Sequence, residues 1–600
     1  MTRPATLTEL FFDAMERFRD RPAMLRARRD GAWTDISTAE VADCVHAASI
    51  GLLELGIQPG DRVAILSENR PEWAYADFAI LTARCTDVPI YSTLPAAQIE
   101  GLLRDSGAVA VMVSNRTQLE KIKQIRGNLP ALAHVIVFDD GVEDPDVLPL
   151  RRLMTTGRTM AAQYVRWRDQ ALQTTPDDLA TIIYTSGTTG EPKGVMLTHG
   201  NIASNVRACA GVLDVRDSDE SLSFLPLSHI FERTGGHYVM IHIGVMINYA
   251  RNVDTVAADL VDRAPTVLTA VPRMYEKIYE KVMDQVHAGG PRRMRIFRWA
   301  RATGDAWADL KLAGRRVPLG LQLKYRLADR LVFQKLRQGT GGRLRCSISG
   351  GAPLNPDIAR FFYAAGMPIL EGYGLTETSP VIAINTFAAQ RIGSVGRPVP
   401  GVEVRIAEDG EILTRGPHVM KGYYRKPDAT AEVLSPDGWF HTGDIGRVDQ
   451  DGFLFITDRK KDLIVTAGGK NIAPQPIEGR LKTNPLFANA VMLGDKRKYP
   501  ILLLVPNFER LRGWARAEGL TFADDAALVA LPAVQTKMEL EAKKHLRDLA
   551  QFEVPKKFLV LPRDFSIERG ELTPKLSVRR KVVEQNYQAE IAALYNGSEG

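Results

Sequence analysis

Apolar positions near the amino terminus fall at helical spacing. Phe11, Phe12, Met15 and Phe18 make a stripe behind Thr6-x-x-Glu9, a threonine and a glutamate placed to cap each other's backbone amides. The spacing predicts a helix, and Met1–Asp20 lacks the unbroken apolar core and small-residue cleavage site of an export signal. Through about residue 390, apolar runs that end in glycine-rich turns alternate with amphipathic stretches, which predicts βα units. In Asp178–Thr185 the run LATIIYT predicts a buried strand, and Leu344–Ile348 another, ahead of Ser349-Gly350-Gly351. The next helix is punctuated by Asn355 as N-cap, Pro356 at its first position and Gly366 past its end.

After residue 392 the period drops to two. Val402–Ile406 and Glu411–Thr414 flank Asp409-Gly410, and Arg447–Asp449 and Phe453–Thr457 flank Asp451-Gly452, both hairpin signals. The stretch from about 391 to 457 therefore predicts an antiparallel sheet or small barrel. A basic, helix-breaking segment, Asp458–Pro476, then introduces a tail of mixed helices and strands, which puts the main domain boundary near Asp458.

With 45% apolar and 25% charged residues over 600 positions, the chain is a globular protein of several domains, neither disordered nor fibrous. A formal charge of +6 is too small at this length to make nucleic acid the main partner. Cys44, Cys85, Cys209 and Cys346 stand far apart with no C-x-x-C pair, which argues against a zinc site or disulfide framework and fits a reducing, cytoplasmic setting. No stretch reaches the ~18 consecutive apolar residues of a membrane span; the nearest, Tyr238–Ala250, contains His242 and Asn248. Charge is nevertheless uneven. Between Pro291 and Arg345, fifteen lysines and arginines face three aspartates, a local excess of twelve positive charges. Two readings stand: a solvated helical surface, the ordinary one, or a peripheral contact with the anionic inner face of the cell membrane.

The densest chemistry is Tyr184-Thr185-Ser186-Gly187-Thr188-Thr189-Gly190-Glu191-Pro192-Lys193-Gly194, directly after a predicted strand. Glycines let backbone N–H groups converge on an anion, while hydroxyls and an ammonium add donors. Thr185, Ser186, Gly187, Thr188, Thr189, Gly190 and Lys193 thus read as a polyphosphate cradle. It is not a Walker A loop, because Gly187 and Gly190 are too close and glycine follows Lys193.

This segment resembles the AMP-binding signature of the adenylate-forming superfamily, which includes acyl-CoA synthetases, firefly luciferase and peptide-synthetase adenylation domains. Further segments agree in order and spacing: Ser349–Pro353 (SGGAP), Glu371–Thr378 (EGYGLTET), Gly438–Asp444 (GWFHTGD) and Asp458–Asp462 (DRKKD). The resemblance covers the chain from about residue 10 to 585. It implies a fold of α/β and β character. A large N-terminal lobe, 1–457, has two α/β subdomains and a small β-barrel, and is hinged at about 458 to a smaller α+β C-terminal lobe, 458–600.

The resemblance also implies roles. Gly350, Gly351 and Ala352 bind nucleotide. Glu371, Gly372, Tyr373 and Gly374 bring the Tyr373 ring against adenine, Thr376 donates to the α-phosphate, and Glu377 ligates Mg2+ as a hard oxygen donor. Asp444 holds the ribose hydroxyls, and Arg459 adds a fixed cation nearby. His229, in Leu225–Arg233 (LPLSHIFER), stands beside the reacting carboxylate. The family's C-terminal lysine falls on Ser577 here, so Lys575, two residues earlier and on the same side of an extended segment, is expected to replace it. Arg579, or no residue of this lobe, is the alternative. Gly468 and Gly469, in Ala467–Lys470, would leave room for a pantetheine arm.

The implied reaction is attack of a fatty carboxylate on the α-phosphorus of ATP, assisted by Mg2+, followed by transfer of the acyl group to coenzyme A. LPLSHIFER, Ala270–Val282 and the length of the 291–345 region resemble the long-chain branch, and the Arg- and Ala-rich composition suggests long-chain fatty-acid–CoA ligases of the actinobacterial type. Two alternatives remain open: an acyl-AMP ligase that delivers to a carrier protein, and a non-catalytic lipid- or nucleotide-binding protein.

Overall fold

The computed structural model describes residues 4–596 apart from 30, 143, 186–191, 253, 468–469, 567 and 573–577. The chain forms two compact units. The first comprises Met1–Arg405, Leu413–Thr442 and Asp449–Leu454; the second comprises Ile406–Ile412, Gly443–Val448 and Phe455–Gly600.

Helix Leu7–Arg17 of the first unit starts as its sequence predicts. Thr6 Oγ1 accepts from the Glu9 amide at 3.1 Å, and the Glu9 carboxylate accepts from the Thr6 amide at 3.1 Å. Phe11, Phe12 and Met15 are buried, with the Phe11 and Phe78 rings 4.8 Å apart. Two large sheets carry the unit. One runs in the order Gly422–Tyr423, Lys193–Thr198, Leu179–Thr185, Thr86–Ile90, Arg62–Leu66, Ala110–Val113, His134–Val137, Leu148–Pro149. The other runs Arg397–Pro398, Val381–Ile384, Ile369–Gly374, Cys346–Ser349, Val267–Ala270, Glu220–Ser223, Met246–Tyr249, Leu25–Arg29, Ala32–Ile36.

Most neighbours in these sheets are parallel, as βα units require, and the inner strands Thr86–Ile90, Ala110–Val113, Val267–Ala270 and Cys346–Ser349 are buried along their whole length. Two reversals matter for the site. Leu179–Thr185 turns straight back into Lys193–Thr198, and Ile369–Gly374 into Val381–Ile384, both antiparallel. Their connections are too short for the crossover that a parallel neighbour needs. Gly374 allows the second reversal, because a Cβ there would stand 1.7 Å from the Pro380 carbonyl oxygen. The helix Pro356–Ala364 is capped as predicted, with Asn355 Oδ1 accepting from the Asp357 amide at 2.8 Å and Gly366 in the left-handed region at φ +77°. The predicted turn at Asp451-Gly452 also forms, with the Asp449 amide donating to the Phe453 carbonyl at 3.0 Å.

In the second unit the Asp409-Gly410 turn closes with the Ala407 amide on the Glu411 carbonyl at 2.8 Å. Phe487–Leu493 pairs antiparallel with Ile501–Pro506, which pairs parallel with Lys557–Val560. The run Ile501–Pro506 is apolar throughout because both its faces are covered. Leu502 and Leu504 pack with Val534 and Met538, whereas Leu503 and Val505 pack with Val583 and Ile591. Among the described residues, no helix is long and apolar enough to cross a membrane.

Candidate active site

Register across the first reversal sets Thr185 directly opposite Lys193, so both ends of the predicted cradle leave the same end of two paired strands. Its remaining members, Ser186, Gly187, Thr188, Thr189 and Gly190, lie outside the described residues, as do Gly468, Gly469 and Lys575. The short strand Gly422–Tyr423 pairs with Lys193–Thr198, Tyr423 facing Val195. That pairing brings the Tyr423 ring beneath the Lys193 ammonium, 4.9 Å from its centroid. The Tyr423 hydroxyl donates to Glu377 Oε1 at 3.0 Å. Burial, and then the Glu377 carboxylate, hold the Tyr423 phenol protonated well above its ordinary range. Lys193, Tyr423 and Glu377 therefore form one arc of cation, ring with its hydroxyl, and carboxylate, with Thr185 opposite Lys193.

Glu377 belongs to the 3-10 turn Thr376–Thr378, where the Thr378 hydroxyl accepts from the Leu375 amide at 2.9 Å and donates to the Pro380 carbonyl at 2.6 Å. The Met420 amide donates to the Glu377 carbonyl at 2.8 Å. Thr376 is buried and Glu377 half-exposed. Glu377 offers a hard carboxylate of the kind that can hold Mg2+ beside nucleotide phosphates. Among the described residues, no group of three or more His, Cys, Asp or Glu could hold a metal, so phosphate oxygens and water would complete such a shell.

Glu371 and Tyr373 precede this turn on Ile369–Gly374. Tyr373 is buried in register with Ala383, and a Cβ on Gly372 would sit 3.4 Å from Ile384, an ordinary contact. Glu371 points inward. Burial pushes its carboxyl up to about 8, partly offset by hydrogen bonds from the Gly393 and Leu354 amides. Ser349 stands beside Glu371 in register, so the SGGAP loop follows on the neighbouring strand. A Cβ on Gly350 would come within 3.0 Å of the Phe231 ring, and Gly351 lies at φ +82° where side chains are strained. Ala352 is exposed.

His229 lies two residues before that ring. Its Nδ1 accepts from the Phe231 amide at 3.0 Å, so the neutral imidazole carries its proton on Nε2. A π-helical turn, Glu232–Tyr238, follows at once. Within it Arg233 is fully buried against Asp77 and Asp87; it donates to Thr181 Oγ1 at 2.9 Å and to the Tyr238 hydroxyl at 2.8 Å. Burial raises both carboxyls, Asp87 to about 7. Because Thr181 lies on Leu179–Thr185, Arg233 ties the His229 turn to the strand that launches the cradle.

In the second unit Arg459 Nε lies 3.2 Å from Asp444 Oδ1, the aspartate buried and the arginine exposed. The adjacent Gly443 amide donates to Glu411 at 2.9 Å, and the Lys460 ammonium also donates to Glu411 at 2.9 Å.

The AMP-binding enzyme model matches residues 11–424, and the model of the AMP-binding enzyme C-terminal domain matches residues 461–599. The chain belongs to the AMP-binding enzyme family. The chain is 40% identical over 587 residues to a long-chain-fatty-acid–CoA ligase, FadD15, of Mycobacterium bovis, covering 97% of this chain and 96% of that one. To long-chain-fatty-acid–CoA ligase ACSBG2 of Rattus norvegicus it is 31% identical, covering 99% and 93%. Among solved structures, an anthranilate CoA ligase in complex with anthranoyl-AMP shares the fold at a TM-score of 0.73 and 19% identity, covering 99% of each chain.

In the first unit Thr185 stands opposite Lys193, Tyr423 links Lys193 to Glu377, and Phe231, two residues after His229, packs against Gly350. Asp444 and Arg459 pair with each other in the second unit. Tyr423 and Arg233 escaped sequence reasoning as site residues. Tyr423 follows glycine in an unremarkable loop, and Arg233 is the last letter of LPLSHIFER with nothing local to mark it as buried.

Proposed function

We propose that this chain is an ATP-dependent long-chain fatty-acid–CoA ligase that acts through an acyl-adenylate. Full-length similarity to ligases of that name, on a chain that assembles the Lys193–Tyr423–Glu377 arc at its cradle, carries the reading. A carboxylate is a poor electrophile, so the fatty carboxylate oxygen first attacks the α-phosphorus, and pyrophosphate departs. The protein's task is alignment and neutralisation of developing charge. Thr185, Lys193 and the 186–190 segment would hold the β- and γ-phosphates, and Thr376 the α-phosphate. Glu377, oriented by Tyr423, would hold Mg2+, which when bound draws charge off the phosphate oxygens. Tyr373 with Gly372 and Gly374 would face adenine, Gly350, Gly351 and Ala352 would approach the nucleotide, and Asp444 with Arg459 would take the ribose. Glu371, tied to the Gly393 and Leu354 amides, would brace that wall from behind. His229 would present its Nε2 proton toward the reacting carboxylate.

In the second step the thiol sulfur of coenzyme A attacks the acyl carbon, the carbon–oxygen bond to AMP breaks, and AMP leaves. We propose that the lobe after a hinge at about Asp458 serves both steps, with Lys575 reaching the first and Gly468-Gly469 lining the second. The cytoplasm is the proposed setting, in keeping with four free, buried cysteines. A carrier-protein acceptor finds no support in the names of the relatives. The deciding experiment is AMP production from saturated acids of rising chain length, with and without coenzyme A. Long acids should give acyl-CoA and AMP together; no acid-dependent pyrophosphate from any of them would end the reading.

A further inference from the structure

Helix Leu319–Ala328 and the turn that follows leave an apolar row in solvent. Leu319, Leu323, Leu327 and Leu331 are 84%, 64%, 52% and 43% exposed. Residues four apart drift only about 40° around a helix, so the four make one ridge. The opposite side is anchored: Tyr325 stacks on Trp307 with ring centroids 4.1 Å apart and donates to the Ala364 carbonyl at 2.8 Å. The ridge is thus the outward face of a well-packed helix.

Cations border it. Lys324 and Arg326 fall on either flank of the row and are exposed. The neighbouring helix Gly290–Leu312 exposes Ile296 and Trp299 beside Arg292, Arg295 and Arg298. The nearby acids are already engaged: Asp305 by Arg301 at 3.0 Å, Asp309 by Arg360 at 3.3 Å, and Asp329 by Arg337 at 2.6 Å. Among the described residues Lys324, Arg326, Arg295 and Arg298 make no ion pair, so their charge is uncompensated. An exposed aliphatic ridge among free cations combines the two attractions of an interfacial helix.

We propose that the hairpin of residues 290–335 is a docking surface for an anionic lipid bilayer. The leucine ridge enters the boundary between headgroups and acyl chains, and the flanking lysines and arginines lie over acidic headgroups with their alkyl stems along the apolar layer. Charge selects this occupant. A second copy of the chain would set the same positive excess against itself, whereas an anionic bilayer sets opposite charge over an apolar layer.

Co-sedimentation of the full chain with vesicles, without substrate, tests the surface apart from the ligase reading. The chain should bind vesicles of phosphatidylcholine containing about a third phosphatidylglycerol, and partition about tenfold more weakly onto phosphatidylcholine alone or in ~1 M salt. Leu323→Asp with Leu327→Asp, and separately Lys324→Glu with Arg326→Glu, should each lower the partition about tenfold or more. Circular dichroism and ATP–pyrophosphate exchange should stay at wild-type levels. Should the aspartates disturb folding, Leu323→Ser with Leu327→Ser carries the same comparison. The proposal is overturned by absent binding, by equal binding to both vesicle types, or by leucine variants that bind like wild type. A leucine-dependent dimer in sedimentation velocity would overturn it too, by giving the ridge to a second copy.

Discussion

Tyr423 does two things at once: its ring lies under the Lys193 ammonium, and its hydroxyl orients Glu377. Tyr423→Phe keeps the first and removes the second. A hydrogen bond to a charged group contributes roughly 1.5–3 kcal/mol. The Mg2+ concentration for half-maximal ATP–pyrophosphate exchange should therefore rise about tenfold or more, with little change in denaturation midpoint. An unchanged Mg2+ requirement would deny the hydroxyl its positioning role. Glu371 makes a different kind of prediction. Burial lifts its carboxyl from 4.5 to about 8. Between those values the folded protein holds a proton that the unfolded chain has lost, so this group's contribution is complete below its unfolded pKa and fades as pH rises toward 8. The slope is at most about 1.4 kcal/mol per pH unit. Glu371→Gln, neutral throughout, should flatten the fall in urea midpoint between pH 5 and 8. Parallel curves for the two proteins would show that the carboxyl does not titrate there.

At the scale of elements, the π-helical turn Glu232–Tyr238 depends on one cation. Arg233 faces two buried carboxylates, and its removal would strand them without a partner. Breaking such a buried group costs about 3–5 kcal/mol. Arg233→Met should lower the denaturation midpoint by a corresponding amount, and exchange activity should fall as well, since the same guanidinium anchors the His229 turn to Thr181. A loss under about 1 kcal/mol would mean that solvent or repacking replaces the ion pair. The elements that carry motifs were largely legible. The Thr6 and Asn355 caps and the Asp409-Gly410 and Asp451-Gly452 turns rest on contacts within a few residues, the range over which local pattern acts, while the LATIIYT strand shows in an unbroken apolar run that suits a strand covered on both faces. The antiparallel turn-backs after Thr185 and Gly374 were not legible, because pairing direction is set by what lies across the sheet.

For the molecule as a whole, two half-reactions around one carbonyl call for separable defects. Lys575→Ala should slow adenylate formation about a hundredfold, the usual effect of deleting a charge-stabilising donor. It should leave thioester formation from supplied acyl-adenylate intact. Gly469→Trp should do the reverse, sparing pyrophosphate exchange and blocking acyl-CoA release. Normal adenylation by Lys575→Ala would pass the role to Arg579 or away from this lobe, and equal loss of both steps in Gly469→Trp would remove that glycine from the thioester face.

The sequence by itself determined the caps and turns, which depend on neighbours along the chain, the apolar strands, and the ordered motifs that put forward Thr185, Lys193, Glu377, Asp444 and Arg459 as candidate site residues. Only the tertiary structure decided what depends on burial and on distant partners. Tyr423 meets Glu377 across 46 residues of chain, Arg233 becomes a buried cation only where Asp77 and Asp87 enclose it, and Leu319, Leu323, Leu327 and Leu331 face water only because of the way their helix packs. Desolvation and charge pairing are properties of the surroundings, and the surroundings of a side chain exist only once the chain has folded.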